Sequence, residues 1–240
     1  MQNFSDNRVL KDVTDSTNES GLAAFFQRTY AYMGAALLIT FGLAYALAYP
    51  FYTQFSQFYA SHGMITWIVL AIAQLAVVFL IGRNALKNPT LALGGLLAFA
   101  VVEGIFFGAL FAMYSVTSIV SAFLMAAVDF AAMSLYGFFT KKSLAGLAPI
   151  LFGGMIAVIV GLILSIFVPG FNLIISILAV VVFSVYTAYD NNRLKQMYFQ
   201  LKSQGNDTTN GLAISGALSL YLDFVNIFIY LLRIFGNQRN

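Results

Sequence analysis

Residues Leu212–Leu232 read LAISGALSLYLDFVNIFIYLL. At 1.5 Å per residue this helix is about 31 Å long, the thickness of a bilayer's hydrocarbon core. Its only carboxylate is Asp223. Gly216, Ser219, Asp223 and Asn226 are spaced three, four and three, so the small and polar residues share one helical face. The stretch reads as a membrane-crossing helix whose polar stripe turns toward protein rather than lipid.

Working outward, six further apolar runs of roughly bilayer-spanning length precede it: Ala31–Tyr49, Ile65–Gly82, Leu91–Tyr114, Ser115–Phe139, Leu147–Val168 and Phe171–Tyr189. Pro50, Pro89, Pro149 and Pro169 fall at or near run ends, where a missing N–H costs little. The third and fourth runs abut and require a tight turn near Tyr114–Thr117. The runs are too long, and alternate too little, for β-barrel strands. The expected fold is an all-α integral membrane bundle of seven transmembrane helices over residues 25–236. A disordered tail is expected over residues 1–24 and a short tail over 237–240. No short apolar core with a cleavage site follows a basic start, so the first hydrophobic helix is expected to serve as the targeting signal.

Composition agrees. The chain is 60% hydrophobic and 9% charged, where soluble domains carry about 25% charged residues. It has no cysteine and one histidine, His62, which excludes thiolate chemistry and histidine-rich metal sites. The net charge of +3 does not point to nucleic acid, because the bases stand singly or in pairs between apolar runs. They point to orientation instead. Arg28, Arg83, Lys87, Lys141, Lys142, Arg193, Lys195 and Lys202 fall at alternate run ends, and the intervening loops carry no Lys or Arg. Bases gather in cytoplasmic loops, so a cytoplasmic amino terminus is expected in a multi-pass protein of the cell membrane. Seven crossings put the carboxyl terminus outside. Arg233 and Arg239 argue mildly for a re-entrant last segment.

Glu103, Asp129, Asp190 and Asp223 lie in or beside the apolar runs, without a Lys or Arg in mid-span. An ionised Asp at mid-bilayer costs about 2.5–3.5 kcal/mol on insertion scales, and four unpaired would cost roughly 10 kcal/mol or more. Such acids must be protonated, face water, or find a cation. They are candidates for a proton or cation path, set against the plainer reading of a carboxyl hydrogen-bonded between helices. Phe183, Tyr186, Asp190 and Arg193 form a second stripe, on the sixth run. Asp190 lies about 19 residues into that run, and Asp223 about 16 Å along the returning one, so the two meet only if the seventh helix begins outside the hydrocarbon. Gly104 with Gly108, and Gly153 with Ala157 and Gly161, read as close helix contacts. His62 is expected in a solvated outer loop, and Trp67 reads as an interfacial anchor. No phosphate loop, nucleophile elbow or zinc motif is present, and short motifs of intramembrane aspartyl proteases are absent, so an enzyme is not expected.

Val182–Lys195 (VFSVYTAYDNNRLK) and Ala217–Gly236 (ALSLYLDFVNIFIYLLRIFG) resemble the last two helices of the Bax inhibitor-1 family in its bacterial branch. Phe26–Met33 (FQRTYAYM) resembles the family's start, and Glu103–Gly104 its third-helix Glu-Gly pair. The resemblance implies seven helices with the last one central, and a pH-sensitive calcium leak. It implies that Asp190 and Asp223 form a proton-sensing pair that also meets calcium in transit, and that Arg83 is an arginine latch on one of them. Ser219, Asn226, Glu103 and Asp129 remain further candidates for the ion path, Asp129 without a family role. With His62 outside the spans, pH must be sensed by carboxyls, and two close aspartates titrate as one coupled pair. The expected partners are the lipid bilayer, calcium and protons, with no cofactor beyond the permeant ion. Two competing functions stand beside the leak: a regulatory protein that modulates a membrane-bound ATP-dependent protease, and a proton-coupled small-solute transporter.

Overall fold

A computed structural model describes residues 3–165, 167–168, 170–205 and 208–237, with side chains from residue 20 onward apart from 64, 66 and 67. The expectations placed on Trp67, Pro169, Arg239 and the extreme termini lie outside the described residues. The chain forms α1 (Asn3–Ala48), α2 (Tyr52–Asn84), α3 (Pro89–Met113), α4 (Val116–Phe139), α5 (Ala148–Leu164), α6 (Phe171–Ser203) and α7 (Thr209–Phe235), with a 3-10 turn over Ala145–Leu147 before α5. The described residues contain no strand. Backbone amides and carbonyls have no partner in hydrocarbon, and a helix satisfies them within one segment.

The helix ends follow local chemistry. Pro89 opens α3 at a position where its missing N–H costs nothing, and the Asn88 side chain accepts from the Leu91 N–H at 3.0 Å. Ser115 Oγ accepts from the Ser118 N–H at 3.3 Å and caps α4, so the abutting third and fourth runs do turn at Tyr114–Ser115. Gly170 enters α6 at φ +81, a left-handed conformation suited to glycine.

Two boundaries differ from the sequence reading. The helix of α1 continues through the polar stretch expected to be a disordered tail, and its membrane-crossing part is Ser20–Ala48. The stretch Pro50–Met64, read as an outer loop, is largely helical. Tyr52–Gly63 lies at 96° to Ile68–Asn84, with the bend at Gly63, whose φ is +38. Phe51, Phe55, Phe58 and Tyr59 recur there at helical spacing. His62 sits on this arm, exposed as expected, with its ring stacked on Phe58 at 4.7 Å. Among the described residues six helices are long and apolar enough to cross a bilayer, or seven when the bent α2 is counted as one span.

The bundle is assembled around α7, which packs against α1, α3, α4 and α6. Leu212, Ile214, Leu220, Tyr221, Ile227, Phe228 and Leu232 are fully buried along it. The outer helices reverse the pattern of a soluble fold. Ile72, Phe152 and Ile174 are 61%, 66% and 60% exposed, as lipid-facing residues are. Gly104 and Gly108 admit α1 closely: a Cβ on either would stand 3.0 Å from the Cβ of Leu43 or Leu47. The second small-residue row is corrected. Gly161 packs on Ile175, but Gly153 and Ala157 are exposed, and Gly154 instead faces Val182, whose side chain a Cβ there would meet at 3.0 Å. The cause is that α5 packs only at the edge of the bundle, mainly on α6.

Among the residues whose side chains are described, every Lys and Arg except Arg233 lies toward one end. Lys195 Nζ donates to the Phe138 and Thr140 carbonyls at 2.6 and 3.0 Å, capping the end of α4. Asn192 ties the same turn, donating to the carbonyls of Gly137 and Lys142 and accepting from the Leu144 N–H at 3.0 Å. At the opposite end the Ser115 N–H donates to the Asn237 carbonyl, and the Asn237 N–H to Ser118 Oγ at 2.9 Å. The last helix therefore ends beside the α3–α4 turn, away from the basic end. It is one unbroken helix, Thr209–Phe235, and shows no re-entrant bend.

Candidate functional site

The α6–α7 hairpin builds the site. Asp190 stands thirteen residues before the end of α6 at Ser203, and Asp223 fourteen after the start of α7 at Thr209. At 1.5 Å per residue both lie about 20 Å from their helix ends, at matching depth. The stacking of Phe183 on Tyr230, with centroids 6.2 Å apart, belongs to the same antiparallel register. The two aspartates do meet: α6 continues from the end of its apolar run at Tyr189 to Ser203, and α7 begins at Thr209, just before its own run.

Asp190 and Asp223 line one cavity of about 400 Å³ together with Ser219 and Asn226. Phe183, Tyr186 and Tyr230 complete its aromatic side, and α5 supplies an apolar wall from Met155 to Leu162. Ser219 lies beside the Asp190 side chain, and the two carboxyls are close enough to interact electrostatically. Asp223 is 4% exposed, and its Oδ2 has no hydrogen-bond partner among the described residues. An unsatisfied buried carboxyl oxygen is costly and suits a group that exchanges partners. Asn226 Nδ2 donates to the Leu222 carbonyl at 2.7 Å within its own helix.

The other sequence candidates lie elsewhere. Glu103 on α3 accepts a hydrogen bond from Gln74 Nε2 and lies near Tyr221, whose hydroxyl meets Thr40 Oγ1 at 2.7 Å. Asp129 accepts from Ser184 Oγ at 2.7 Å where α4 meets α6. Neither lines the aspartate cavity. Arg83 is exposed near the end of α2, with its guanidinium 5.4 Å from the Phe79 ring. It makes no ion pair with Asp190; the guanidinium acting on Asp190 is that of Arg193, three residues along α6. The reason is packing: α2 lies chiefly against α3. A latch between Arg83 and Asp190 is not a feature of this conformation.

Gly216, the other small residue of the α7 stripe, serves packing, since a Cβ there would meet Leu194 at 2.7 Å. Tyr230 was missed in the sequence although it continues that stripe, four residues beyond Asn226. The α5 wall carried no signal, because its residues are those of any lipid-facing helix. Among the described residues no three of His, Asp and Glu converge. The site offers two carboxylates and neutral oxygens, a set suited to a passing cation more than to a tightly held one.

The family model described as "Inhibitor of apoptosis-promoting Bax1" matches residues 22–240. An uncharacterised membrane protein of Streptococcus pyogenes serotype M3 is 34% identical over 92% of this chain and 96% of its own length. The uncharacterised protein YrjE of Lactococcus lactis is 34% identical over 97% of each chain. Inner membrane protein YbhL of Escherichia coli is 32% identical over 92% of this chain and 94% of its own. A family match across nearly the whole length, joined to a bundle of apolar helices around α7, makes this chain a multi-pass membrane protein of the Bax inhibitor-1 family.

Proposed function

We propose that this protein is a pH-sensitive calcium leak of the cell membrane, with its basic end in the cytoplasm. The observation that supports it most is the meeting of Asp190 and Asp223 in one cavity between membrane-crossing helices, with no Lys or Arg in the lining. Ionised, the pair attracts a hard cation through oxygen ligands, and Ser219 and Asn226 supply neutral oxygens beside it. The small ligand charge lets the ion leave again, as conduction requires. Protonation removes the attracting charge, so the same two groups set both passage and pH response. The orientation follows from the bases: Arg28, Arg83, Lys87, Lys141, Lys142, Arg193, Lys195 and Lys202 lie toward one end of the bundle.

Purified protein in liposomes loaded with a calcium indicator tests the reading. Calcium entry that depends on pH and is lost or altered in Asp223→Asn supports it. Vesicles no leakier than empty ones overturn it and favour the regulatory role on a membrane-bound ATP-dependent protease. Counterflow of a labelled solute without calcium entry would favour a transporter.

A further inference from the structure

Toward the end remote from the bases, a second cavity of about 610 Å³ lies between α5, α6 and α7. Tyr114, Ser165, Asn172, Ser176 and Arg233 give it a polar lining. Leu162 lines this cavity and the aspartate cavity alike, so the two are stacked along one groove. On α7 their border is a pair of residues three apart. Tyr230 lines the inner cavity, and Arg233 lines the outer one with its guanidinium 5.4 Å from the Tyr230 ring. That is cation–π distance, and it holds the charge at the border between the cavities.

Arg233 stands apart from the other bases. Among the residues whose side chains are described, every other Lys and Arg lies toward the opposite end of the bundle. Arg233 is ten residues beyond Asp223, about 15 Å along the helix. A fixed charge in a mouth walled by apolar helices acts over a longer distance than one in open water. It repels a divalent cation twice as strongly as a monovalent one.

We propose that Arg233 is an electrostatic filter at the outer mouth of the aspartate cavity, slowing divalent cations more than monovalent ones. The filter rests on the calcium-leak reading and adds to it a residue that sets rate and selectivity from outside the carboxylate pair. Tyr230 places the guanidinium; the charge does the filtering.

The test is calcium entry into liposomes holding the full-length protein, for the parent and for Arg233→Gln, Arg233→Glu and Arg233→Lys, at low and high potassium chloride. At about 10 mM salt, where screening extends some 30 Å, Arg233→Gln is expected to raise calcium entry on the order of three- to tenfold. Arg233→Glu should raise it further, and Arg233→Lys should match the parent. At about 1 M salt, where screening falls to about 3 Å, the excess should vanish. Potassium entry should rise by a smaller factor than calcium entry. Unchanged or lower calcium entry in Arg233→Gln overturns the filter, as does an excess equally large at both salt concentrations, the mark of a loosened structure. A parent that conducts no calcium overturns the leak itself, and the filter with it; a conducting parent with a silent Arg233→Gln overturns the filter alone.

Discussion

The rings of Phe183 and Tyr230 stack 6.2 Å apart and 17° from parallel, and this pair stands in the register that sets Asp190 opposite Asp223. Seven residues separate each ring from its aspartate, two helical turns in opposite directions along antiparallel helices. A slip by one residue would rotate one carboxyl by about 100° and take it out of the cavity.

The proposed leak treats the two aspartates of the shared cavity as one titrating unit. Asp190→Asn and Asp223→Asn should each flatten the pH dependence of calcium entry in liposomes, and the double variant should change it little beyond either single one. Non-additivity of this kind is expected of residues in one network. Two single variants that kept the parent's pH profile would return the aspartates to packing.

Arg83 bears on how the closed state is held. Because its guanidinium lies over Phe79 and not against Asp190, Arg83→Ala should leave calcium entry at neutral pH close to the parent's. A marked rise would reveal a conformation in which the two are paired, and would restore the latch that the family resemblance implies.

Topology can be read from a chain without native cysteine. Lys141 and Thr117 are both exposed, at opposite ends of α4. With the basic end in the cytoplasm, Thr117→Cys should react with a membrane-impermeant thiol reagent in intact cells. Lys141→Cys should react only after the cells are opened. The reverse pattern would invert the proposed orientation.

Two glycines separate close packing from lipid exposure. A Cβ on Gly137 would strike the backbone of Ala188 on α6, whereas one on Gly153 meets nothing within 4 Å. Gly137→Val should lower the thermal stability of the detergent-solubilised protein or abolish its monodisperse form, because backbone cannot yield as a side-chain tip can. Gly153→Val should match the parent. Equal behaviour of the two variants would refute the α4–α6 contact.

Asn192 concentrates the polar bonds of the basic end. Asn192→Leu should remove the bonds to the Leu144 N–H and to the carbonyls of Gly137 and Lys142, at about 1–3 kcal/mol for the buried Gly137 carbonyl left unpaired. A thermal melt in detergent should drop by several degrees. An unchanged melt would mean that water reaches these groups.

Much of this protein is legible in its sequence, and the reason is the bilayer. Hydrocarbon accepts only satisfied backbone, so an apolar run of sufficient length has one structural outcome, and the spans, the α3–α4 turn and the Gly104–Gly108 contact follow from spacing alone. The polar stripes on α6 and α7 likewise identify the faces that turn inward. Apolar patterning cannot say where a helix stops once it leaves the membrane. The sequence therefore left open whether Asp190 and Asp223 share a depth, and extension of α6 to Ser203 with the start of α7 at Thr209 decided it. Nor can spacing within one helix say which helices are neighbours. Glu103 and Asp129 stood as further candidates for the ion path and Arg83 as the latch, yet packing sends the two acids to Gln74 and Ser184 and leaves Arg83 beside Phe79 of its own helix. The chain determined which faces are polar; only the assembly of α5, α6 and α7 determined which of those faces enclose a common space, because enclosure is a property of three helices at once.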